Sequence, residues 1–410
     1  MNRREFLEKT ALAALAGTAA LQGMSQARST YQIGAYYVPV FHVDPTNEET
    51  HGRGWTEWEI LKRGEPKFPG HYQPKVPLWG YEDESDPRVF AKKIDAAADH
   101  DLSYFIFDWY WYRGKPYLNR ALEKGFLGAS NNHRLKFCVM WANHDWVNLF
   151  PARLHMPPQL QYAGAVNSEQ FDLLTDYVIS NYFSHPSYWT VNGAPYFSIY
   201  ELFRLVKGLG GVEATAVALN RFRQKTKAAG FPGLHLNAVM WGVKILLGTE
   251  DASDLTVDQM VELLSGLQIN STTSYTWIHH ATLSGFPTTP YANVAEQGEK
   301  YWTKAATETK IAYYPNVSMG WDPSPRACQS DTYTDSDYPF MPIATGNTPE
   351  AFRQSLVRVK QFLDTHPSSA NIFNINAWNE WTEGSYLEPD NRSGFQYLKA
   401  VKSVFGNRSW

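Results

Sequence analysis

Two glutamates three residues apart, Glu380 and Glu383, stand in the stretch NAWNEWTEGSYLEPD (376–390), with Trp378 and Trp381 beside them. Glycoside hydrolysis uses such a pair: one carboxyl gives a proton to the leaving oxygen and the other assists at the anomeric carbon. Retaining enzymes hold the two about 5–5.5 Å apart, and side chains at i and i+3 of a helical turn have Cβ atoms about 5–6 Å apart. One turn therefore suffices to set that spacing. An indole packed over one carboxyl would exclude water, raise its pKa and keep it a proton donor. An ordinary solvated helix start carries the same ExxE pattern, so the meaning of the pair rests on the element that presents it.

That element is the last of eight short apolar runs. They are QIGAYYV (32–38), SYFIFDWYW (103–111), LKFCVMWAN (135–143) and PYFSIYE (195–201), then GLHLNAVMW (233–241), NSTTSYTW (270–277), IAYYPNVSMGW (311–321) and NIFNINAW (371–378). Most are too short and too rich in β-branched or aromatic residues for buried helices. Between them, helices are expected over 87–100 behind Asp86-Pro87, over 169–183 capped by Ser168, over 212–229 ending at Gly230, and over 349–364 opened by Thr348-Pro349. Regular alternation of eight strands with helices predicts an α/β fold, a (β/α)8 TIM barrel. At 410 residues the chain exceeds the usual barrel of about 250, so the surplus belongs in long βα loops, the longest at 39–85.

Chemistry in such a barrel gathers at the C-terminal strand ends. There the first strand offers Tyr37, His42 and Trp58, and the second Asp108, Trp109 and Tyr110. The third offers Asn143, His144, Asp145 and Trp146, the fifth Trp241, and the eighth Trp378 and Trp381. Carboxylates and flat amphipathic rings recurring on one rim suit a sugar site. Asp108 fits a sugar hydroxyl and, equally, the amides of its own loop.

Composition narrows the partners. Aromatic residues make up 15% of the chain, with 15 Trp and 24 Tyr, more than packing requires, which favours carbohydrate. A net charge of −4 speaks against a nucleic-acid partner. Cys138 and Cys328 make neither a disulfide framework nor a CxxC site, and Cys138 lies in an apolar run where an inert thiol is expected. His42, His71, His144, Asp145 and Asp322 lack metal-motif spacing, so neither metal nor cofactor is expected. No Gly/Ser linker or repeat divides residues 28–410, which reads as one monomeric domain without a membrane span.

The motifs GWTEWE (54–59), GHYQPKVPLWGY (70–81), MWANHDW (140–146) and the stretch 376–390 together resemble the glycoside hydrolase family 99-like, or WbsX-type, domain of polysaccharide loci. The resemblance runs from about Tyr31 to Phe405 and implies kinship with the (β/α)8 endo-α-mannosidases of family 99. Their Glu-Trp-x-Glu-Gly element is matched by Glu380-Trp381-Thr382-Glu383-Gly384. The resemblance implies that Glu380 takes the proton of the sugar's 2-hydroxyl, that a 1,2-anhydro sugar forms, and that Glu383 is the general acid/base of a retaining hydrolase acting on an α-mannoside-like polysaccharide or oligosaccharide. The chain departs from the family pattern where His144-Asp145 stands in place of an acid-bearing WANENW. Two other functions stay open: a glycosyltransferase of surface-polysaccharide synthesis, and a glycan-binding barrel without catalysis.

Residues 1–27 read as a targeting segment. Arg3-Arg4 precedes a mild Ala/Leu stretch from Ala11 to Leu21, and Ser25-Gln26-Ala27 offers small residues for cleavage. The stretch falls short of the roughly 20 residues of a spanning helix. Paired arginines before a weakly apolar core predict twin-arginine export, to the periplasm or beyond. Replacing both arginines with lysine is predicted to trap precursor in the cytoplasm; unaltered export in a strain lacking that pathway would refute the assignment.

Overall fold

The computed structural model describes residues 31–147, 150–241 and 255–406, so the targeting segment lies outside the described residues. Eight parallel strands form the barrel: β1 Gln32–Tyr37, β2 Tyr104–Tyr112, β3 Lys136–Trp141, β4 Ala194–Ile199, β5 His235–Val239, β6 Ser271–Thr273, β7 and β8 Ile372–Asn376. Strand β7 is split by Pro315 into Ala312–Tyr314, paired with β6, and Asn316–Ser318, paired with β8. Proline has no N–H for the ladder. The Pro315 carbonyl still accepts from Asn374 N at 2.9 Å, and β8 pairs with β1 to complete the ring.

Among the described residues, seven α-helices of ten or more residues surround the barrel: α1 Pro87–Ala98, α2 Ser168–Val178, α3 Val212–Ala228, α4 Val257–Gly266, α5 Tyr291–Glu308, α6 Pro349–Thr365 and α7 Gln396–Phe405. The four expected ones are all present. Asp86 and Thr348 cap α1 and α6 as their sequences predict. The cap of α2 is Asn167 rather than Ser168: the Asn167 side chain accepts from Gln170 N at 2.9 Å, which satisfies an otherwise orphaned amide. A π-helical turn, Ala121–Phe126, stands between β2 and β3. Among the described residues, no helix is long and apolar enough to cross a membrane.

All nine residues of β2 are buried, because one face meets the barrel interior and the other meets helices. Successive side chains point to opposite faces. Tyr104 reaches Asn374 inside the barrel, and Asp108 reaches Tyr275. Phe105 and Phe107 pack on Phe126 of the outer layer, and Trp109 donates to Tyr182. The interior carries polar residues bonded to one another: Ser198 to Asn237, Asn237 to Ser271, and Asn374 to Thr273. Gly34 of β1 makes room for this layer, since a Cβ there would lie 2.4 Å from the Tyr104 ring.

The end of β8 is tied to the end of β1. Asn379 accepts from Val38 N at 2.8 Å and donates to Val38 O at 2.9 Å. Behind it, buried Lys93 of α1 bonds Glu84 at 2.6 Å and Glu388 at 3.0 Å. Cys138 is a buried free thiol and Cys328 a partly buried one.

His42 is fully buried after β1, and neither ring nitrogen has a hydrogen-bond partner. Burial pushes its pKa down to about 4, against the opposing fields of Asp44 and Asp83, with Arg120 adding to the fall. The folded protein thus binds this proton less readily than the unfolded chain, so the contribution is full above the unfolded pKa of about 6.5 and is lost as pH falls toward 4. In urea titrations, the stability of wild type relative to His42→Phe is predicted to fall across that window by about 1.4 kcal/mol per unit. Any packing cost of the larger ring is pH-independent and leaves the slope intact; equal slopes for the two proteins would refute the buried neutral histidine.

Candidate active site

Three loops on the C-terminal face bring the acids together. The β8 loop turns at once into a short antiparallel pair, Asn379–Glu380 with Ser385–Tyr386, enclosing a single 3-10 turn, Trp381–Glu383. Gly384 closes this turn at φ 68°, and a Cβ there would come within 2.7 Å of Asp322. The Asp322 amide donates to the Glu383 carbonyl at 2.6 Å. The turn is therefore fixed by backbone contacts before either glutamate side chain is considered.

Arg326, from the β7 loop, stands between the acids. Its Nε and Nη2 donate to Glu57 Oε1 at 3.1 and 3.0 Å, and Nη2 also donates to Glu380 Oε1 at 2.8 Å. Its Nη1 donates to Tyr338 at 2.6 Å and to Glu383 Oε1. These bonds use all five guanidinium N–H groups. Tyr338 donates to Glu383 Oε1 at 2.7 Å, and Tyr275 lies 3.0 Å from Glu380 Oε2. Among the described residues no hydrogen bond reaches Glu383 Oε2, and Glu383 lines the adjoining cavity.

Burial raises both glutamates above the usual carboxylate range, with Arg326 opposing the rise at each. Glu383 and Glu57 push Glu380 further up, and Glu57 does the same to Glu383. One cation facing three buried carboxylates favours retention of a proton within the group. That is what a proton donor beside a base requires.

The cavity holds about 130 Å³ and is lined by Asp108, Tyr110, His144, Asp145, Trp146, Glu380 and Glu383 from among the expected residues. His144 is half-buried, and this desolvation lowers its pKa and favours the neutral ring. Asp145 is held by Arg204 at 2.8 Å and by the Gly164 amide at 2.9 Å. Trp146 is partly exposed and meets Tyr110 and Tyr117 edge to face.

The other expected residues pack behind this wall. Tyr37 and Trp109 point outward from their strands, toward Phe90 and Tyr182. His42 is enclosed, Trp58 stacks on Phe41, and Asn143 bonds the Glu201 backbone. Trp241 stacks on His279 and Trp381 on Tyr386, while Trp378 packs tilted against Phe105. Trp378 and Trp381 consequently serve as packing under the turn; the carboxyls face Arg326 and two tyrosines instead.

Sequence reading missed Glu57, Tyr275, Arg326 and Tyr338. Glu57 stood inside GWTEWE, and Tyr275 at the end of the sixth run, where the strand-end rule reaches it. Arg326 and Tyr338 lie in the β7 loop with no motif of their own. Among the described residues no group of acids, histidines or cysteines is arranged to hold a metal. A second cavity, of about 250 Å³, opens beyond Gly384 beside Tyr72 and Tyr397. Its acids are already engaged, Asp322 by Lys75, His71 and Gln73, and Asp390 by Tyr386 and backbone amides.

The family model described as Glycosyltransferase WbsX matches residues 33–401. WxcX proteins of two Xanthomonas campestris pv. campestris strains, described as uncharacterized, are 29% identical over 373 residues. The match covers 90% of this chain and 49% of theirs, so the chain spans about half the length of these curated relatives. Among solved structures, the GH99 endo-alpha-mannosidase of Bacteroides thetaiotaomicron superposes with a TM-score of 0.53 at 14% identity, covering 91% of this chain and 96% of that one. A protein described as glycoside hydrolase-like gives 0.54 at 13% identity, covering 93% and 95%. At these identities the structural likeness speaks for the barrel alone. The sequence match runs from the first barrel strand to the last helix, and by it the chain belongs to the WbsX family, with a barrel of the glycoside hydrolase family 99 type.

Proposed function

We propose that the chain is an exported retaining glycoside hydrolase acting on a polysaccharide or oligosaccharide of α-mannoside-like chemistry. The observation that carries this reading is the pairing of Glu380 and Glu383 on one guanidinium at the mouth of the barrel. Glu380 has both oxygens engaged, and the Arg326 cation and the Tyr275 hydroxyl favour the ionised form needed in a base against burial and Glu383, which raise it. Glu383 turns one bonded oxygen to Arg326 and Tyr338, leaving the other for a leaving group.

In this mechanism Glu380 takes the 2-hydroxyl proton as that oxygen attacks the anomeric carbon, while Glu383 protonates the departing oxygen. Glu383 then takes a proton from water as it opens the 1,2-anhydro sugar, and Glu380 returns its proton to O2. Two displacements at one carbon give net retention. Arg326 has no donor left for a phosphate, which argues against a nucleotide-sugar donor bound at this point. Transfer to a saccharide acceptor is the second reading, favoured by the name of the family. It shares the first displacement and differs only in the hydroxyl that opens the intermediate. Digestion of a polysaccharide panel in heavy-oxygen water separates them, because hydrolysis places the label at the new reducing end and transfer does not.

Glu380→Gln is expected to slow every substrate, whereas Glu383→Gln should slow poor leaving groups by about 10²–10⁴-fold and good ones far less. Burial raises Glu383, so its protonated form should persist above the usual glutamic acid range and set the alkaline limb of the pH profile. That limb should vanish in Glu383→Gln assayed with a good leaving group; an unchanged limb would assign it elsewhere. A 2-deoxy substrate is expected not to turn over, and early NMR should show retained configuration. Inversion, or brisk turnover of the 2-deoxy sugar, would overturn the neighbouring-hydroxyl route.

A further inference from the structure

The hydroxyl of Tyr275 sits between two carboxyl groups, 2.9 Å from Asp108 Oδ2 and 3.0 Å from Glu380 Oε2. A phenol has one proton to donate. At 2.9 and 3.0 Å the oxygens are in direct contact, with no room for a water to supply the missing hydrogen between them. If both acids were ionised, one contact would set a bare carboxylate oxygen against the phenol oxygen. Both contacts are hydrogen bonds only when one of the acids is protonated and donates to Tyr275.

The surroundings decide which acid that is. Glu380 has Arg326 on its other oxygen at 2.8 Å. Asp108 has no cation bonded to it, and its Oδ1 is buried without a partner. An ionised Asp108 would leave charge on an oxygen that nothing solvates, a larger cost than leaving a neutral carbonyl oxygen there. Tyr36, Tyr110 and Tyr200, the aromatic groups packed around this pair, bring no positive charge, and burial keeps the ring of His279 neutral. Glu57 and Glu383 are the remaining charged groups about Glu380, both acidic, and both share its cation.

We propose that Asp108 is a neutral carboxylic acid that donates to Tyr275, whose hydroxyl donates in turn to Glu380, so that the shared proton is kept off the base. This rests on the reading of Glu380 as the base and specifies what holds it ready. With the bonds reversed, Glu380 would carry the proton and donate to Tyr275, and could not accept one from a 2-hydroxyl. The order of the two hydrogen bonds thus sets whether the base is available. Asp108 is a positioning residue in this scheme, acting through Tyr275 rather than on the sugar.

Asparagine in place of aspartate tests the idea, because its amide N–H donates where the acid O–H does. Asp108→Asn is expected to keep kcat within about tenfold of wild type, the scale of one altered neutral hydrogen bond. Tyr275→Phe, which takes away the donor to Glu380, should lose about 100-fold or more in kcat with KM little changed, as for a base left partly protonated. Circular dichroism should show both variants folded. A folded Asp108→Asn enzyme as inactive as Tyr275→Phe would mean that Asp108 works as an anion, and would overturn the proposal. Infrared difference spectra of wild type against Asp108→Asn at neutral pH supply a readout that needs no substrate. A protonated-carboxyl carbonyl band lost in the variant supports the assignment; a carboxylate band lost instead refutes it. The spectrum therefore judges the proton on Asp108 even if no glycan is cleaved and the hydrolase reading fails.

Discussion

One guanidinium governs the mouth of this barrel. Glu57 comes from the β1 loop, Arg326 and Tyr338 from the β7 loop, and Glu380 and Glu383 from the β8 loop, and all meet at Arg326. Three carboxylates brought this close without a cation would repel strongly in a space with little water to screen them. Arg326 offsets that repulsion and also dictates geometry, since its N–H groups lie in a fixed planar fork. A buried ion pair adds little net stability against an apolar equivalent, yet removing one partner typically costs 3–5 kcal/mol. The cluster is better understood as a constraint on arrangement than as a source of stability: with the guanidinium fixed, the three loops have one way to close.

The rest of the fold converges on holding that arrangement still. Asn379 locks the β8 end to the β1 backbone on one side, and Gly384 lets the turn lie against Asp322 on the other. Asp322 is itself anchored by Lys75, His71 and Gln73, and the neighbouring positive charge of Lys75 holds its carboxyl well below the usual range despite burial. Behind the turn, Lys93 joins Glu84 and Glu388, and Glu388 receives the indole N–H of Trp381. Charged groups placed this way need little reorganisation when a charge develops beside them, which is the preorganisation on which electrostatic catalysis draws. The tryptophans beside the acids contribute here as well, by packing the turn from below.

On the proposed mechanism, hydrolysis and transfer diverge only at the second displacement. A glutamate that deprotonates the 2-hydroxyl and another that protonates the leaving oxygen serve hydrolysis and transfer alike. What separates the two is whether water or a saccharide hydroxyl reaches the anomeric carbon. The cavity's partly exposed Trp146, beside Tyr110 and Tyr117, is the kind of apolar wall on which a sugar ring rests.

The sequence by itself determined the eight strands, the face on which the loops meet, and the two glutamates, because each is written in a short span. Strand runs and helix caps such as Asp86-Pro87 are local features, and Glu380 and Glu383 sit on one turn. Only the tertiary structure decided which neighbours of those acids matter. Arg326 lies 269 positions from Glu57 and 54 from Glu380, and no local pattern marks an arginine in a loop as the partner of three distant acids. The direction of side chains on β2 was equally hidden. In a strand exposed on one face, polar and apolar residues alternate and reveal the inside; YFIFDWYWY is buried on both faces, so Asp108 and Tyr110 could not be told from Trp109. The barrel resolves that parity by pairing register, sending Asp108 toward Tyr275 and Trp109 toward Tyr182.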